Sequence, residues 1–354
     1  MDGIKVSIIT IVYNNQACIA DCIQSVIDQS YPYIEHIVID GGSTDGTQQQ
    51  IEPFQEKLAY YQSEKDNGLY DALNKGILQA TGDIIGILHS DDLYYAGDTI
   101  QKVVNAFRAS GADLVHANGQ FVAPEDTGTV KRIYPSKPYR KRYLRFGWIP
   151  LHTTIYVKRE LYEKYGLYDE SYSIASDYEI SLRWFKNDEI KKYFLNEWVV
   201  KMRLGGKSTS AKLQKKKSLE DLDIIRRYNL PGYFTLAFKI ARKIPQYLIP
   251  RLVQIGGTNP SLPEPIPVQV KATRVIRIRE ALEYWGKIPR ITAFLFGTFP
   301  REEIQIPEEF LPDHLRNAVG AGMSPIIPKG VSLLLTHKEK QAIPAAGHRA
   351  SNAG

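Results

Sequence analysis

Over residues 1–120 the apolar positions switch repeatedly between two rhythms. Val6–Val12, "VSIITIV", is a continuous β-branched run of the kind a strand shows when both its faces are buried. Cys18–Gln29 instead places Cys18, Ile19, Cys22, Ile23, Val26 and Ile27 at helical spacing. Ile34–Ile39 predicts a second strand, followed by a Gly/Ser/Asp turn and a helix from about Thr44. Leu58–Gln62 predicts a third, weaker strand, Leu69–Gln79 a helix, and Ile84–Leu88 a fourth strand. Thr99–Arg108 then reads as a helix and Leu114–His116 as a fifth strand. Alternating strands and helices predict a parallel sheet joined by right-handed crossovers. In such sheets ligands bind beyond the carboxyl ends of the strands. The polar clusters fall there: "YNN", "DGGSTDG", "SEKDNG" and "HSDD" follow the first four strands in turn.

From Phe121 to about Arg203 the rhythm becomes mixed. Val130–Tyr134, Thr153–Val157, Lys192–Leu195 and Val199–Arg203 predict short strands around one clear helix, Asp177–Lys186. This stretch reads as sheet completion plus an acceptor-side lobe. Leu213–Tyr228 and Tyr233–Leu248 predict amphipathic helices. "TNPSLPEPIP" then reads as an extended linker, Arg277–Trp285 as a short helical patch, and "AIPAAGHRASNAG" as a disordered end. The expected division is residues 1–205, 206–250 and 251–354.

Charge sharpens this division. Residues 1–204 carry 22 Lys and Arg against 27 Asp and Glu, whereas residues 205–354 carry 23 against 12. The basic surplus therefore lies in the C-terminal part, which is where an anionic partner is expected. The two cysteines, Cys18 and Cys22, share one helix face and read as reduced core residues of a cytosolic protein. The N-terminus runs straight into "IKVSIITIVYNN", which reads as no leader, and no apolar stretch approaches spanning length.

The strand tips carry the chemistry. Asp40 ends the second strand, with glycines permitting close backbone approach and Ser43 or Thr44 available to cap the next helix. An acidic residue in that place commonly reads a ribose or base. No glycine follows the first strand and no GxxxxGK[ST] occurs, which argues against NAD and against an ordinary P-loop. In "ILHSDDLYYAGD" the adjacent Asp91 and Asp92 repel each other, so a divalent cation is the obvious partner. The Asp66-Asn67-Gly68 stretch taken alone reads as a helix-capping turn.

Together, "SIITIVYNN", "HIVIDGGSTDGT", "SEKDNGLYDALNKGI", "ATGDIIGILHSDD" and "SDYEISLRW" resemble the inverting family 2 glycosyltransferases, whose GT-A fold is an α/β mixed sheet flanked by helices. The likeness spans roughly residues 4–205. It implies donor-binding roles for Thr10, Tyr13, Asn14, Asp40, Ser43, Asp66, Asn74, Ser90 and Asp91. Asp91 and Asp92 are implied as ligands of Mn²⁺ or Mg²⁺, with His89 standing where the family motif has its first Asp. Asp177 is implied as the base, and Ser176 replaces the family's preceding Glu; Glu179 is the weaker candidate. His152 and Trp148, with Tyr143, are acceptor-side expectations, with core packing an equal reading for Trp148 and Tyr143.

The reaction so implied moves a sugar from a nucleoside-diphosphate sugar, UDP by default, to a glycan or lipid-linked acceptor. Nucleotidyl transfer or phosphate hydrolysis on the same acidic edge is the alternative, but "VYNNQ" lacks a basic loop for a triphosphate. A non-catalytic nucleotide-sugar-binding module is the third reading, supported by the Ser176 and His89 departures. No nucleic acid partner is expected. The helices of residues 205–250 are either a docking seam or a peripheral contact with an anionic membrane surface, such as the inner face of the plasma membrane.

Overall fold

The computed structural model describes residues 3–205, 211–243 and 246. The linker, the 277–285 helical patch and the C-terminal end lie outside the described residues, as does all but Gln246 of the stretch beyond Lys243. Strands β1 (Val6–Val12), β2 (Ile34–Asp40), β3 (Tyr60–Ser63) and β4 (Ile84–Ile87) form a parallel block in the order β3-β2-β1-β4. Next to β4 the sheet turns mixed. β8 (Ile155–Lys158) runs antiparallel to β4, and β6 (Leu114–Val122) antiparallel to β8. β9 (Lys192–Arg203) lies parallel to β6, while β5 (Asp92–Tyr94) and β7 (Val130–Tyr134) pair antiparallel with β9 and β6.

Strand alternation sorts the core into two faces. Ile9, Ile11, Ile37, Ile39, Ile85 and Ile87 pack with α3 (Leu69–Gln79) and α6 (Ser176–Lys186) on one side. Val6, Ile8, Ile84 and Leu88 pack with α1 (Ile19–Ile27) and α4 (Thr99–Ser110) on the other. With both faces covered, the parallel strands are mostly apolar on both sides, so "VSIITIV" shows no polar alternation; its buried polar residues, Ser7 and Thr10, bond to Glu35 and His36 of β2.

The remaining helices are α2 (Thr47–Ile51), α5 (Glu160–Tyr165), α7 (Ala211–Arg227) and α8 (Gly232–Ala241). The helix expected from about Thr44 starts at Thr47, because Gly46 adopts a left-handed φ of 100° just before it. Two predicted strand pieces, Lys192–Leu195 and Val199–Arg203, are one strand, β9. β6 continues six residues past His116 through Asn118 and Gln120, buried polar residues that read as a break in the sequence. α7 and α8 dock on the α6 face, where Ile224 and Ile225 join the same core as Trp184 and Phe185.

Candidate active site at the carboxyl edge of the sheet

Register brings the strand tips together. Val12 at the end of β1 pairs with Asp40, and Asp40 pairs with Ser63 at the end of β3. Asp40 is fully buried, and its carboxylate accepts bonds from the hydroxyls of Ser43 and Ser63, both at 2.5 Å. Ser43 Oγ in turn accepts the Asn14 backbone N–H at 2.8 Å, and Asn14 Oδ1 accepts the Thr44 N–H at 2.9 Å. Asn14 itself sits at a left-handed φ of 49°, a conformation that its short polar side chain tolerates. The two loops are thereby locked into one rim.

Asp66 reaches this rim from beyond β3. A Cβ on Gly41 would stand 2.3 Å from Asp66 Oδ2 and 3.4 Å from the Tyr13 ring, so only glycine permits that approach. Asp66 also accepts the Gly68 N–H at 2.9 Å, so the capping turn and the rim position coexist. Tyr13 is 48% exposed beside Gly41. Ser90 Oγ accepts the Asn15 side-chain amide at 2.9 Å, tying the acidic loop to the loop after β1.

Three expected site residues are placed elsewhere. Thr10 is fully buried on the α1 face, its hydroxyl 3.0 Å from His36 Nε2, because it shares strand parity with Val6 and Ile8. Asn74 is a strut: its amide donates to Tyr168 O and Glu170 Oε1 and accepts the Tyr168 N–H, at 3.0, 2.8 and 2.9 Å. Trp148 is 3% exposed among His116, Tyr139, Tyr143 and Phe185, so no sugar face can stack on it.

The adjacent aspartates have different surroundings. Asp91 is partly exposed, whereas Asp92 opens β5 and is fully buried, with no hydrogen-bond partner for either carboxylate oxygen. Burial and the neighbouring Asp91 push the Asp92 carboxyl well above its usual range, with the Arg203 guanidinium opposing in part. A buried carboxylate without partners is costly when ionised. A hard cation would offset that cost, so the residues present fit a divalent metal on Asp92 and Asp91. Among the described residues no group of three or more His, Cys, Asp or Glu side chains converges, so water and diphosphate oxygens would complete its shell.

His89 links this loop to the base position. Its Nε2 lies 2.7 Å from His152 Nε2, and His152 Nδ1 lies 3.6 Å from Asp177 Oδ2. Asp177 is the second residue of α6 and a quarter exposed; its Oδ1 is 3.4 Å from the Tyr70 hydroxyl, which accepts the Asp177 backbone N–H at 3.3 Å. Burial alone would raise the Asp177 carboxyl, but Lys217, His152 and Lys239 outweigh it and hold the group below its ordinary value. Burial lowers His152 to about 4, against the pull of Asp177. Asp177 is therefore ionised and His152 neutral at neutral pH.

The loop before α6 is fixed from outside. Glu220 of α7 accepts the backbone N–H groups of Ser173, Ile174 and Ala175, at 3.2, 2.9 and 2.9 Å. Glu179 has a structural task instead: it is fully buried, pairs with Arg183 and accepts the Tyr228 hydroxyl at 2.5 Å. Tyr70, Lys217 and Lys239 were not singled out as site residues from the sequence, since each lies in a helix whose period accounts for it.

Residues 7–166 match the family model described as Glycosyl transferase family 2. An uncharacterized glycosyltransferase of Mycobacterium tuberculosis (strain ATCC 25618 / H37Rv) is 36% identical over 180 residues, covering 50% of this chain and 68% of its own. An uncharacterized glycosyltransferase of Rickettsia prowazekii is 29% identical over 224 residues, covering 61% and 70%. Among solved structures, S. aureus TarS 1-349 in complex with UDP aligns with a TM-score of 0.48 at 18% identity, covering 69% of this chain and 70% of its own.

Proposed function

This chain belongs to glycosyl transferase family 2, and from that premise we propose a metal-assisted, inverting transfer from a nucleoside-diphosphate sugar to an acceptor hydroxyl. The observation that carries the proposal is the run Asp177–His152–His89, which joins the base position to the acidic loop of Asp91 and Asp92. The rim of Tyr13, Asn14, Asp40, Ser43 and Asp66 is where the nucleoside would sit. Asp177 takes the proton from the acceptor hydroxyl as its oxygen bonds to the anomeric carbon and the nucleoside diphosphate leaves with the old bonding pair. His152 orients Asp177, and Tyr70 holds the backbone of its helix end. A divalent cation on Asp91 and Asp92 would neutralise charge on the leaving diphosphate.

The acceptor in this reading is a glycan or a lipid-linked sugar. α8 turns Tyr233, Phe234 and Ile240 outward, 70%, 49% and 51% exposed, and Lys215 and Lys216 of α7 are exposed. That apolar face with nearby cations supports a peripheral contact with an anionic bilayer. Among the described residues no helix is long and apolar enough to cross a membrane. Thermal-shift titration with nucleoside diphosphates and their sugars, with and without Mn²⁺, followed by anomeric analysis of the labelled product, tests the proposal. Transfer of a nucleotidyl group, or a product of retained configuration, sinks it.

A further inference from the structure

We propose that a basic cavity at the far end of α6 binds the phosphate of an anionic phospholipid headgroup. The inference deepens the peripheral bilayer contact read above and rests on it, and it is independent of the chemistry at Asp177. It begins in the sequence. Residues 127–159 contain nine Lys and Arg and no Asp or Glu, a basic island inside the acidic part of the chain. Four of these cations fall in "RKRYLR", residues 140–145. Lys141–Phe146 folds as a short 3₁₀ helix, in which residues three apart stand one above the other. Leu144 is 1% exposed and joins the core, so Arg142 and Arg145 share the outer edge, both exposed.

Arg142 and Arg145 line a cavity of about 670 Å³ together with Lys141, Lys186 and Asn229, a volume in the range of small-ligand pockets. No Asp or Glu belongs to that lining. Lys186 ends α6, about 14 Å along the helix from Asp177, so cavity and base lie at opposite ends of it. The turn from α7 to α8, with Asn229, Leu230 and Pro231, forms the other wall. Two of the four cations have partners: Lys141 pairs with Asp188, and the Lys186 ammonium donates to Tyr228 O. Arg142 lies 5.7 Å from the centre of the Tyr143 ring. Among the described residues no carboxylate pairs with Arg142 or Arg145. One carboxylate, Asp188, thus answers four cations.

Guanidinium forks match phosphate oxygens in pairs, and the Asn229 side-chain amide offers a neutral donor beside them. The surface next to the cavity commits it to a lipid. Phe146, the last residue of the 3₁₀ helix, has its ring centre 5.6 Å from that of Phe234 and 5.5 Å from that of Phe238, both in α8. Pro231 of the cavity wall leads straight into α8, whose Tyr233 and Phe234 are largely exposed. The Arg226 guanidinium stands 5.5 Å from the centre of the Tyr233 ring. Aromatic side chains beside cations are what an interfacial helix presents at headgroup depth. A free phosphate or a soluble polyanion would give those exposed rings nothing to contact.

The test titrates the full chain with dihexanoyl phosphatidylglycerol below its micelle concentration, with dihexanoyl phosphatidylcholine and with inorganic phosphate. Wild type is compared with R142Q, R145Q and R140Q, the last removing a charge from the same segment outside the cavity lining. Phosphatidylglycerol should bind wild type and R140Q and weaken about tenfold or more in R142Q and in R145Q, the worth of one hydrogen bond to a charged group. Equal weakening in R140Q marks general charge attraction and overturns the site. Phosphatidylcholine binding as tightly as phosphatidylglycerol also overturns it. Inorganic phosphate binding as tightly assigns the cavity to a free phosphate and overturns the lipid source. Flotation with vesicles of phosphatidylcholine and phosphatidylglycerol in equal parts separates this site from the bilayer contact. Wild type that floats, with R142Q and R145Q binding the soluble lipid as wild type does, keeps the bilayer contact and removes the cavity. Wild type that fails to float, yet binds the soluble lipid through Arg142 and Arg145, keeps the cavity and removes the bilayer contact.

Discussion

Replacing Glu35 by Gln should cost stability without touching the site. Glu35 lies where β2 begins, at the end of the sheet opposite the acidic tips, with a side chain 7% exposed. Its carboxylate accepts from Lys5 Nζ at 2.7 Å, the Ser7 hydroxyl at 2.5 Å, and the Thr81 N–H and hydroxyl at 2.8 and 2.7 Å. Ser7 Oγ also accepts the Gly82 N–H at 2.9 Å, so one carboxylate ties together β1, β2 and the approach to β4. Burial raises the carboxyl, but Lys5, Ser7 and Thr81 outweigh it and bring the group from 4.5 down to about 2.

Bringing the group from 4.5 to about 2 corresponds to about 3.4 kcal/mol of linked stability. Lys5 is 46% exposed, so its share is screened, and about 2–3 kcal/mol is the working figure. The folded value lies below the unfolded one. The stabilisation is therefore complete above about pH 5 and disappears as pH falls through 4.5 toward 2. Urea unfolding of wild type and E35Q should differ by about 2–3 kcal/mol at pH 7 and by about 1 kcal/mol near pH 3. UDP affinity with Mn²⁺ should be the same in both proteins. A difference that stays constant from pH 7 to pH 3 would refute the assignment of this carboxylate as the pH-dependent tie.

Three further outcomes follow from the site. Asp177→Asn should keep nucleoside-diphosphate affinity near wild type and lower turnover by about 10²–10⁴, the usual worth of a positioned base; equal loss of both places Asp177 in the donor pocket. Asp92→Asn should raise the melting temperature of the metal-free protein, because it removes a buried carboxylate without partners, and should abolish the Mn²⁺-dependent gain in UDP binding; a variant that melts lower yet keeps the Mn²⁺ response contradicts the metal placement. Wild-type protein should float with anionic vesicles at low salt and be released at high salt, each basic residue near the surface being worth about 1 kcal/mol; equal flotation with neutral vesicles removes the electrostatic part of that contact.

How much of this was legible in the chain depended on what decided each feature. β1, β2 and β4 were readable because burial on both faces imposes mostly apolar runs. The same property hid the direction of Thr10, since a strand without alternation gives no sign of which face a side chain takes. β5 is only "DLY", too short for any period, so Asp92 was read as a loop ligand when it begins a strand. Asn74 matched a family position, yet its partners lie 94 and 96 residues away, a contact no local pattern carries. Trp148 reads equally as a sugar platform or a core residue in the sequence, and its packing against His116, Tyr143 and Phe185 of α6 makes it core.

The layout of charge follows from this packing and gives the site its direction. Carboxylates come from loops after parallel strands, because those loops all emerge at one edge and converge without help from distant sequence. Cations come from α7 and α8, which arrive late in the chain and close over α6. Between them stand two imidazoles, His89 and His152, whose Nε2 atoms are 2.7 Å apart, with His152 Nδ1 3.6 Å from Asp177 Oδ2.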